Sequence, residues 1–302
     1  MVDEKLLAAL RVQSRALEEV DRVFRSRGFI ELMPLVLSTT TDPLGPDPAG
    51  SVVATPRIDY QGQELVLTQS MILHKQALIA SGLDRFYIVS PNVRLERSDR
   101  GSTGRHLFEF SQVDFEVAHG TMQEVMSLVE EVLVSTIIAV SRDCKPELSL
   151  WGRTLRVPTR PFKVFTTHEL EAKHGPDWEA VASAEAAEPF WVTCHKREFY
   201  DAEDPDRPGH YRNYDLIYPE GFGEALSGAE REWEYRRIVE RIRRDGIPLD
   251  KYEPFLEMAK RGLRPSAGAG FGVERLTRFL VGARHVGDVQ PFRRVPGEPV
   301  KM

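Results

Sequence analysis

Residues 93–118, VRLERSDRGSTGRHLFEFSQVDFEVA, decide the fold. Two runs alternate between apolar and polar residues, and the polar, glycine-containing segment RSDRGSTGRH separates them. Alternation with a period of two is typical of strands, because successive side chains of a strand point to opposite faces. We therefore predict an antiparallel hairpin with a long tip, formed by residues 86–96 and 107–118.

The two faces of this hairpin differ in chemistry. One face of the second strand is mainly apolar and should belong to the core: Leu107, Glu109, Ser111, Val113, Phe115 and Val117. The other face is mainly polar, and a similar row lies on the first strand: Phe108, Phe110, Gln112, Asp114 and Glu116, with Ser90, Asn92, Arg94 and Glu96. A solvated sheet face is the ordinary explanation for one such row. Two polar rows that can coincide across a hairpin favour a functional site.

The rest of the chain predicts helices and strands around this hairpin. Apolar residues at helical spacing predict helices at 4–27, 121–142, about 230–245 and about 254–261, and alternation predicts strands at 190–200 and 211–218. Residues 40–51, TTDPLGPDPAGS, hold three prolines and two glycines and predict a loop that is a candidate lid. The fold class is therefore α+β, an antiparallel sheet flanked by helices, and the expectation is a single domain over 1–302.

Composition excludes several classes of protein. The 302 residues include 40 Lys and Arg against 46 Asp and Glu, a net charge of −6 that disfavours a general polyanion-binding surface. Cys144 and Cys194 form no CxxC pair, so neither a disulfide framework nor a structural zinc site is indicated. The N-terminus predicts neither a signal peptide nor a membrane span, and we expect a cytoplasmic protein.

Three segments resemble the signature motifs of class II aminoacyl-tRNA synthetases. RGFIELMP is similar to motif 1 (about 27–38), VRLE with RHLFEF to motif 2 (about 86–118), and GAGFGVERL to motif 3 (about 268–282). LTQSMILHKQ (67–76) and DVQPFRRVPG (288–297) resemble the aspartyl and asparaginyl subgroup. YDLIYPEGFGEALSGAERE (214–232) resembles the archaeal asparaginyl enzymes. Motif 1 lies at the subunit interface in this class, which implies a homodimer.

The resemblance implies an ATP site and assigns residues to it. Arg94 and Arg275 would be the catalytic residues, with Arg94 on the α-phosphate and Arg275 over adenine and on the γ-phosphate. Phe110 would stack on adenine and Glu96 would hold the adenine amino group. Arg100, Arg105 and His106 would contact phosphates, and Glu224 and Gly272 would complete the nucleotide site. The family's Mg²⁺ ligands match Asp215, Glu224 and Ser227.

The same resemblance implies an amino-acid pocket. Lys75 stands where the aspartyl enzymes have a lysine that binds the side-chain carboxylate. With Arg231 it would form a doubly cationic pocket for aspartate. Gln112 and Asp114 are candidates for the substrate ammonium. Gln69, Glu116 and Ser227 complete the expected substrate-binding set, whereas Ile72 replaces a glutamine of the aspartyl enzymes.

The implied reaction depends on the start of the chain. Motif 1 begins at residue 27, so we expect no OB-fold anticodon-binding domain, as in the archaeal-type asparagine synthetases related to asparaginyl-tRNA synthetase. That resemblance implies that aspartate, ATP and ammonia give asparagine, AMP and pyrophosphate through a β-aspartyl-adenylate, without tRNA. Glu116, Glu96 and Asp114 can each deprotonate ammonium, and the sequence does not choose among them or between the two substrate carboxylates. The alternatives are a paralogue that transfers aspartate to tRNA or protein, and a catalytically silent regulatory paralogue.

Overall fold

The computed structural model describes residues 3–44 and 52–301. The fold is α+β, as predicted. In chain order the strands are β1 (Ile30–Leu32), β2 (Leu37–Ser38), β3 (Val52–Ala54), β4 (Arg57–Tyr60), β5 (Gln63–Leu67), β6 (Arg85–Val93), β7 (Leu95–Glu96), β8 (Glu109–Ala118), β9 (Lys163–Thr166), β10 (Phe190–Thr193), β11 (Asn213–Tyr218), β12 (Gly223–Glu230) and β13 (Ser266–Gly272).

Nine α-helices accompany these strands in the described residues. They are α1 (Glu4–Ser26), α2 (Ile72–Ala80), α3 (Met122–Asp143), α4 (Lys145–Leu150), α5 (Thr167–His174), α6 (Trp178–Glu185), α7 (Tyr235–Arg244), α8 (Glu253–Gly262) and α9 (Val273–Val281). In these residues, no helix has the length and apolar composition needed to cross a membrane.

Within the described chain, eight strands form the main sheet in the order β1-β6-β8-β13-β12-β11-β10-β9. The central pairs are antiparallel, whereas β1 and β9 run parallel to their neighbours. One face of the sheet packs against α1, α3 and α9. There Val12 and Phe24 of α1 join Val113 and Phe115 of β8 in the core, so the side chains of β8 that alternate with them point to the opposite face.

The predicted hairpin is confirmed, because β6 pairs with β8 and places Ser90 opposite Gln112 and Asn92 opposite Phe110. Its tip contains a 3₁₀ helix, Ser98–Thr103, that the polar sequence did not predict. The helices predicted at 4–27 and 121–142 are also confirmed. Their first turns are capped by the side chains of Asp3 and Thr121, which accept hydrogen bonds from backbone N–H groups.

Two sequence predictions differ from the structure in the second half of the chain. The strand predicted at 190–200 ends at Thr193, because the next residue, Cys194, has a φ of +67° that breaks the extended conformation. Residues 223–230 form β12, although the helix was predicted from about 230 and no strand before it; the helix α7 begins only at Tyr235. Most of the candidate lid, residues 45–51, lies outside the described residues.

Candidate active site

The sheet face opposite α1 and α3 forms one side of a cavity of about 980 Å³. The segment that follows β10 and the tip of the hairpin form other parts of its wall. Most residues predicted for the site line this cavity: Lys75, Arg94, Glu96, Arg100, Arg105, His106, Phe110, Gln112, Asp114, Asp215, Glu224, Ser227, Arg231, Gly272 and Arg275. Gln69 and Glu116 do not line it. The structure thus brings together residues that span 200 positions of sequence.

Arg94 and Phe110 form one contact pair at the end predicted for ATP. The Arg94 guanidinium lies 5.2 Å from the centre of the Phe110 ring, and its Nε donates to the carbonyl oxygen of Gln69 at 3.0 Å. A guanidinium over an aromatic face is a favourable cation–π arrangement. An adenine ring that stacks on this face of Phe110 would have to displace Arg94.

Arg275 lies beside Glu224, another residue predicted for the ATP site. Arg275 Nη1 is 3.1 Å from the Glu224 carboxylate and also donates to the Glu224 carbonyl oxygen at 3.2 Å. Arg275 Nε donates to the carbonyl oxygen of Arg105 at 3.2 Å, which ties motif 3 to the hairpin tip. Burial opposes ionisation of Glu224, but Arg275 and the neighbouring arginines hold its pKa at about 2. Glu224 is therefore a carboxylate at neutral pH.

His106 is neutral and has a defined tautomer. Burial, together with the charges of Arg275 and Arg100, lowers the pKa of His106 to about 2. Arg100 donates to its Nε2 at 3.0 Å, so the ring proton lies on Nδ1, which is 2.5 Å from Thr103 Oγ1. His106 can therefore hold Arg100 in place, whereas it supplies no positive charge to a phosphate. Its predicted phosphate contact would be that of a neutral hydrogen-bonding group.

Glu96 lies buried at the same end of the cavity. Its side chain is 4% exposed, and Arg100 Nε lies 3.4 Å from its carboxylate. Burial raises the pKa of Glu96 above its ordinary value. A buried carboxylate of this kind can accept hydrogen bonds from an amino group, which is the role predicted for it towards adenine.

Asp215, Glu224 and Ser227 form the candidate metal position. Asp215 on β11 lies directly opposite Ser227 on β12, and a bulge at Leu216/Ile217 shifts the register before Glu224 is reached. This bulge allows Glu224 and Ser227, three residues apart, to line the same cavity. Burial raises the pKa of Asp215 to about 7, and its Oδ1 is buried with no hydrogen-bond partner among the described residues.

These residues fit an ion carried by ATP better than a permanent metal centre. No cluster of three His, Cys, Asp or Glu side chains in residues 3–44 and 52–301 is arranged to hold a metal. Mg²⁺, however, is usually held by one or two carboxylates together with substrate phosphates and water. Asp215 Oδ1 and the Glu224 carboxylate match that requirement.

Arg197 is a cavity residue that the sequence analysis missed. Its guanidinium forms an ion pair with Asp215 and donates to Ser227 Oγ, so it covers two of the three predicted metal ligands. His195 Nε2 lies 3.3 Å from the same Asp215 carboxylate. Both residues belong to the segment after β10 and to no motif. The concentration of charged residues in CHKREFYDAED (194–204) was the signal available in the sequence.

Lys75 lies buried at the other end of the cavity. The side chain is 2% exposed, and its ammonium donates to Asp114 Oδ1 at 3.2 Å and to the carbonyl oxygens of Phe115 and Ala269 at 3.3 and 3.1 Å. An ammonium has three N–H donors, so these acceptors use all of them. Lys75 holds β8, β13 and α2 together, and it has no donor left for a substrate carboxylate in this arrangement.

Arg231 is also paired with carboxylates. Its Nε and Nη2 donate to the two oxygens of Glu116 at 3.0 and 3.3 Å, and its Nη1 donates to Asp201 Oδ1 at 3.3 Å. Glu116 also lies 3.5 Å from the Lys75 ammonium. The prediction of a doubly cationic pocket is therefore wrong in its net charge. Both cations are present, but three buried carboxylates, Asp114, Glu116 and Asp201, compensate them. Arg231 Nη1 keeps one N–H without an acceptor among the described residues.

The other residues predicted to bind substrate have different positions. Gln112 lines the cavity and accepts a hydrogen bond from Asn92 at 3.0 Å. Gln69 is buried beneath the site, where its amide donates to Thr55 Oγ1 at 2.7 Å, so it supports Arg94 instead of facing the cavity. Ile72 does line the cavity, at the start of α2.

Three glycines of β13 make this polar arrangement possible. Gly268, Gly270 and Gly272 lie opposite Glu116, Asp114 and Gln112 of β8. A Cβ at position 268 would lie 2.1 Å from a Glu116 carboxylate oxygen, and a Cβ at position 270 would lie 2.6 Å from Asp114 Oδ1. The glycine repeat of motif 3 thus provides space for the acidic side chains of motif 2.

Comparison with known proteins agrees with this geometry. The family model for class II tRNA synthetases (D, K and N) matches residues 1–296. The aspartate–tRNA(Asp/Asn) ligase of Methanothermobacter thermautotrophicus is 32% identical over 95% of this chain and 67% of the relative. The asparagine–tRNA ligase of Thermococcus kodakarensis is 30% identical over 97% of this chain and 70% of the relative.

A solved structure shows the same similarity in three dimensions. The asparaginyl-tRNA synthetase of Pyrococcus horikoshii, complexed with asparaginyl-adenylate, superposes with a TM-score of 0.86 at 27% identity, over 98% of this chain and 70% of that one. The family match, the sheet order and the convergence of motifs 2 and 3 on one cavity lead to the same conclusion. The chain belongs to the class II tRNA synthetase family of the D, K and N type.

Proposed function

We propose that this cavity activates aspartate with ATP to form an aspartyl-adenylate and pyrophosphate. The observation that carries the proposal is the division of one cavity into two ends. Arg94, Arg275 and Glu224 lie at the first end, and Lys75 with Arg231 lies at the second. In the reaction, a carboxylate oxygen of aspartate forms a bond to the α-phosphorus of ATP, and the bond from that phosphorus to the pyrophosphate oxygen breaks.

The residues at the first end would stabilise the charge that develops on the phosphates. Arg94 would contact the α-phosphate after it leaves the Phe110 ring, and Arg275 would contact the γ-phosphate. Cations at these positions would stabilise the charge that develops in the transition state more than they stabilise the ground state. Asp215, Glu224 and Ser227 would hold Mg²⁺, which supplies neutralisation of the phosphate charges when it is bound.

The residues at the second end would select the amino acid. Aspartate is the proposed substrate because its side-chain carboxylate can accept the remaining N–H of Arg231 Nη1 and can take the place of Asp201 on that guanidinium. Asparagine is the competing substrate, since the Thermococcus relative is an asparagine–tRNA ligase. We expect pyrophosphate exchange to depend on aspartate, with kcat/KM for asparagine at least tenfold lower. A preference for asparagine would refute this assignment.

Two acceptors are candidates for the aspartyl group. The curated relatives are tRNA ligases, which favours transfer to tRNA over the ammonia-dependent synthesis expected from the sequence. Ammonia remains a second candidate because three buried acidic residues, Asp42, Glu198 and Asp201, line the same cavity. Radiolabelled aspartate with ATP and Mg²⁺, supplied with tRNA in one reaction and ammonium in another, separates the two. Acid-precipitable label indicates aspartyl-tRNA, and chromatography of the soluble fraction detects asparagine.

Pyrophosphate exchange also distinguishes the proposed enzyme from a catalytically silent paralogue. Such a protein would bind ATP or aspartate without exchanging pyrophosphate into ATP. We expect measurable exchange with aspartate alone, before any acceptor is added. Absence of exchange with both aspartate and asparagine would contradict the proposed activity.

A further inference from the structure

Arg197 lies at the candidate metal position itself. Within residues 3–44 and 52–301, its guanidinium donates hydrogen bonds to Asp215 Oδ2 and to Ser227 Oγ, and to no other group. Asp215 and Ser227 are directly opposite each other on β11 and β12, so the guanidinium spans the pair. Its positive charge therefore occupies the place predicted for Mg²⁺.

The backbone of Arg197 is held in place, whereas its side chain faces the cavity. Arg241 Nη2 donates to the backbone carbonyl oxygen of Arg197 at 3.3 Å and to that of Glu198 at 2.6 Å. The Arg197 side chain is 26% exposed and lines the cavity, whereas the side chain of Arg231 is only 5% exposed. Arg197 can therefore exchange its partners by side-chain rotation, without movement of the backbone.

The charges around Arg197 oppose the entry of a divalent ion. Asp215 Oδ1 is buried and has no hydrogen-bond partner in the described part of the chain, so an ion can contact it. The guanidinium on the other oxygen of the same carboxylate would then lie close to the ion, and like charges at short range repel strongly. Arg275, which is 3.1 Å from the Glu224 carboxylate, adds a second positive charge. A divalent ion is therefore favoured here only when the guanidinium leaves and an anion is added.

We propose that Arg197 occupies the metal position in the nucleotide-free protein, and that Mg²⁺ replaces it only together with the phosphates of ATP. The phosphates bring the negative charge that offsets the entering ion, and they offer the displaced guanidinium new oxygen acceptors. Arg197 is thus a positioning residue, which holds Asp215 and Ser227 together until the ion arrives. The inference rests on the proposed function for the identity of the nucleotide. The exclusion of a metal from the nucleotide-free protein does not depend on it.

Mn²⁺ is the probe for this position, because it takes the same oxygen ligands as Mg²⁺ and the free ion is measured by electron paramagnetic resonance. The nucleotide-free protein is titrated as the wild type and as Arg197→Met, which keeps a long side chain but removes its charge and its donors. We expect Arg197→Met to bind Mn²⁺ at least tenfold more tightly than the wild type. A merely structural role for Arg197 would not raise the metal affinity, so wild-type affinity in this variant would overturn the proposal.

Arg244→Met is the matched control for the loss of one positive charge. Arg244 lines the same cavity but lies 3.0 Å from Glu203, so this variant should bind Mn²⁺ within twofold of the wild type. An equal gain in both variants would overturn the proposal, because the gain would then come from the net charge of the cavity. Adding Asp215→Asn to Arg197→Met should remove the gain. A gain that persists in the double variant would assign the ion to another place and would also overturn the proposal.

Crystals of the wild type test the exchange without any variant. They are grown in Mn²⁺, with and without an ATP analogue in which a methylene group replaces the oxygen between the α- and β-phosphates. Without the analogue we expect Arg197 on Asp215 and Ser227 and no anomalous peak. With it we expect a Mn²⁺ peak in contact with Asp215 or Ser227, and Arg197 displaced from both. A peak at this position without the analogue, or an Arg197 that stays on both residues with it, would contradict the exchange.

Failure of this inference and failure of the proposed function give different results. If the analogue does not bind, or if the wild type shows no aspartate-dependent pyrophosphate exchange, the proposed function fails. The Mn²⁺ titrations contain no nucleotide, and they still decide whether Arg197 occupies a metal position. If exchange is present but Arg197→Met binds Mn²⁺ no better than the wild type, the function stands and this inference is wrong.

Discussion

Glu116 provides the sharpest test of the charge arrangement at the amino-acid end. Its carboxylate is fully buried and accepts from Arg231 Nε and from Ser266 Oγ, while the Lys75 ammonium lies 3.5 Å away. Glu116→Gln keeps the shape of the side chain but removes the negative charge that two buried cations share. Breaking a buried ion pair in this way typically costs about 3–5 kcal/mol of unfolding free energy, because the remaining cation is left uncompensated in a medium of low polarity.

The matched control lies on the same strand. Glu109 carries a side chain that is 52% exposed and makes one 3.3 Å contact with Arg294. Because solvent screens such a pair, we expect Glu109→Gln to cost about 0–1 kcal/mol. Urea unfolding, followed by the fluorescence of the protein's tryptophans, measures both variants. Equal losses of stability in the two variants would refute the reasoning, as would wild-type stability in Glu116→Gln. The folded fraction of the Glu116→Gln variant should also show a raised KM for aspartate, because Arg231 loses its bidentate carboxylate partner.

Three further predictions concern the nucleotide end, the glycine repeat and the subunit interface. Arg94→Ala and Arg275→Ala should each lower the rate of pyrophosphate exchange by about 10²–10³ without a change in circular dichroism; wild-type exchange in both would mean that the ATP site is misplaced. Gly270→Ala should cost about 1–3 kcal/mol and weaken aspartate binding in calorimetry, because its Cβ would lie 2.6 Å from Asp114 Oδ1; an unchanged affinity would count against this close approach. We expect a homodimer through motif 1, and Met33→Glu, at a residue 82% exposed in the single chain, should shift light scattering from a dimer to a monomer, whereas a monomeric wild type would contradict the expectation.

The hairpin and its two faces were predictable because their signal is local. A period of two in residues 107–118 is enough to assign Val113 and Phe115 to the core and Gln112 and Asp114 to the site. The β12 strand was not predictable in this way. Its sequence, GEALSGAE, consists largely of small residues and contains two glycines, and the bulge at Leu216/Ile217 shifts its register with β11.

The charge of the amino-acid end was not predictable from motifs, because a motif identifies side chains and not their partners. Lys75 and Asp114 are 39 residues apart, and Arg231 and Glu116 are 115 apart, so their pairing depends on the tertiary structure. The sequence assigned Asp114 and Glu116 to the substrate and Lys75 with Arg231 to a doubly cationic pocket. The structure instead joins all four in one buried network. Substrate binding at this end must therefore add to these partners or replace one of them, and charge alone does not determine the preferred substrate.

The segment after β10 shows how one backbone feature can change the content of a site. A strand continuing to residue 200, as the sequence predicted, would place Arg197 and Glu198 on opposite faces of the sheet. The positive φ of Cys194 ends the strand, and the Asn213 side chain then bonds both the N–H and the carbonyl oxygen of His195, each at 2.9 Å. An amide side chain thus replaces the backbone of a neighbouring strand and holds the chain in its new direction. Arg197 and Glu198 consequently both reach the cavity, Arg197 at the candidate metal position and Glu198 near Asp42 and Asp201.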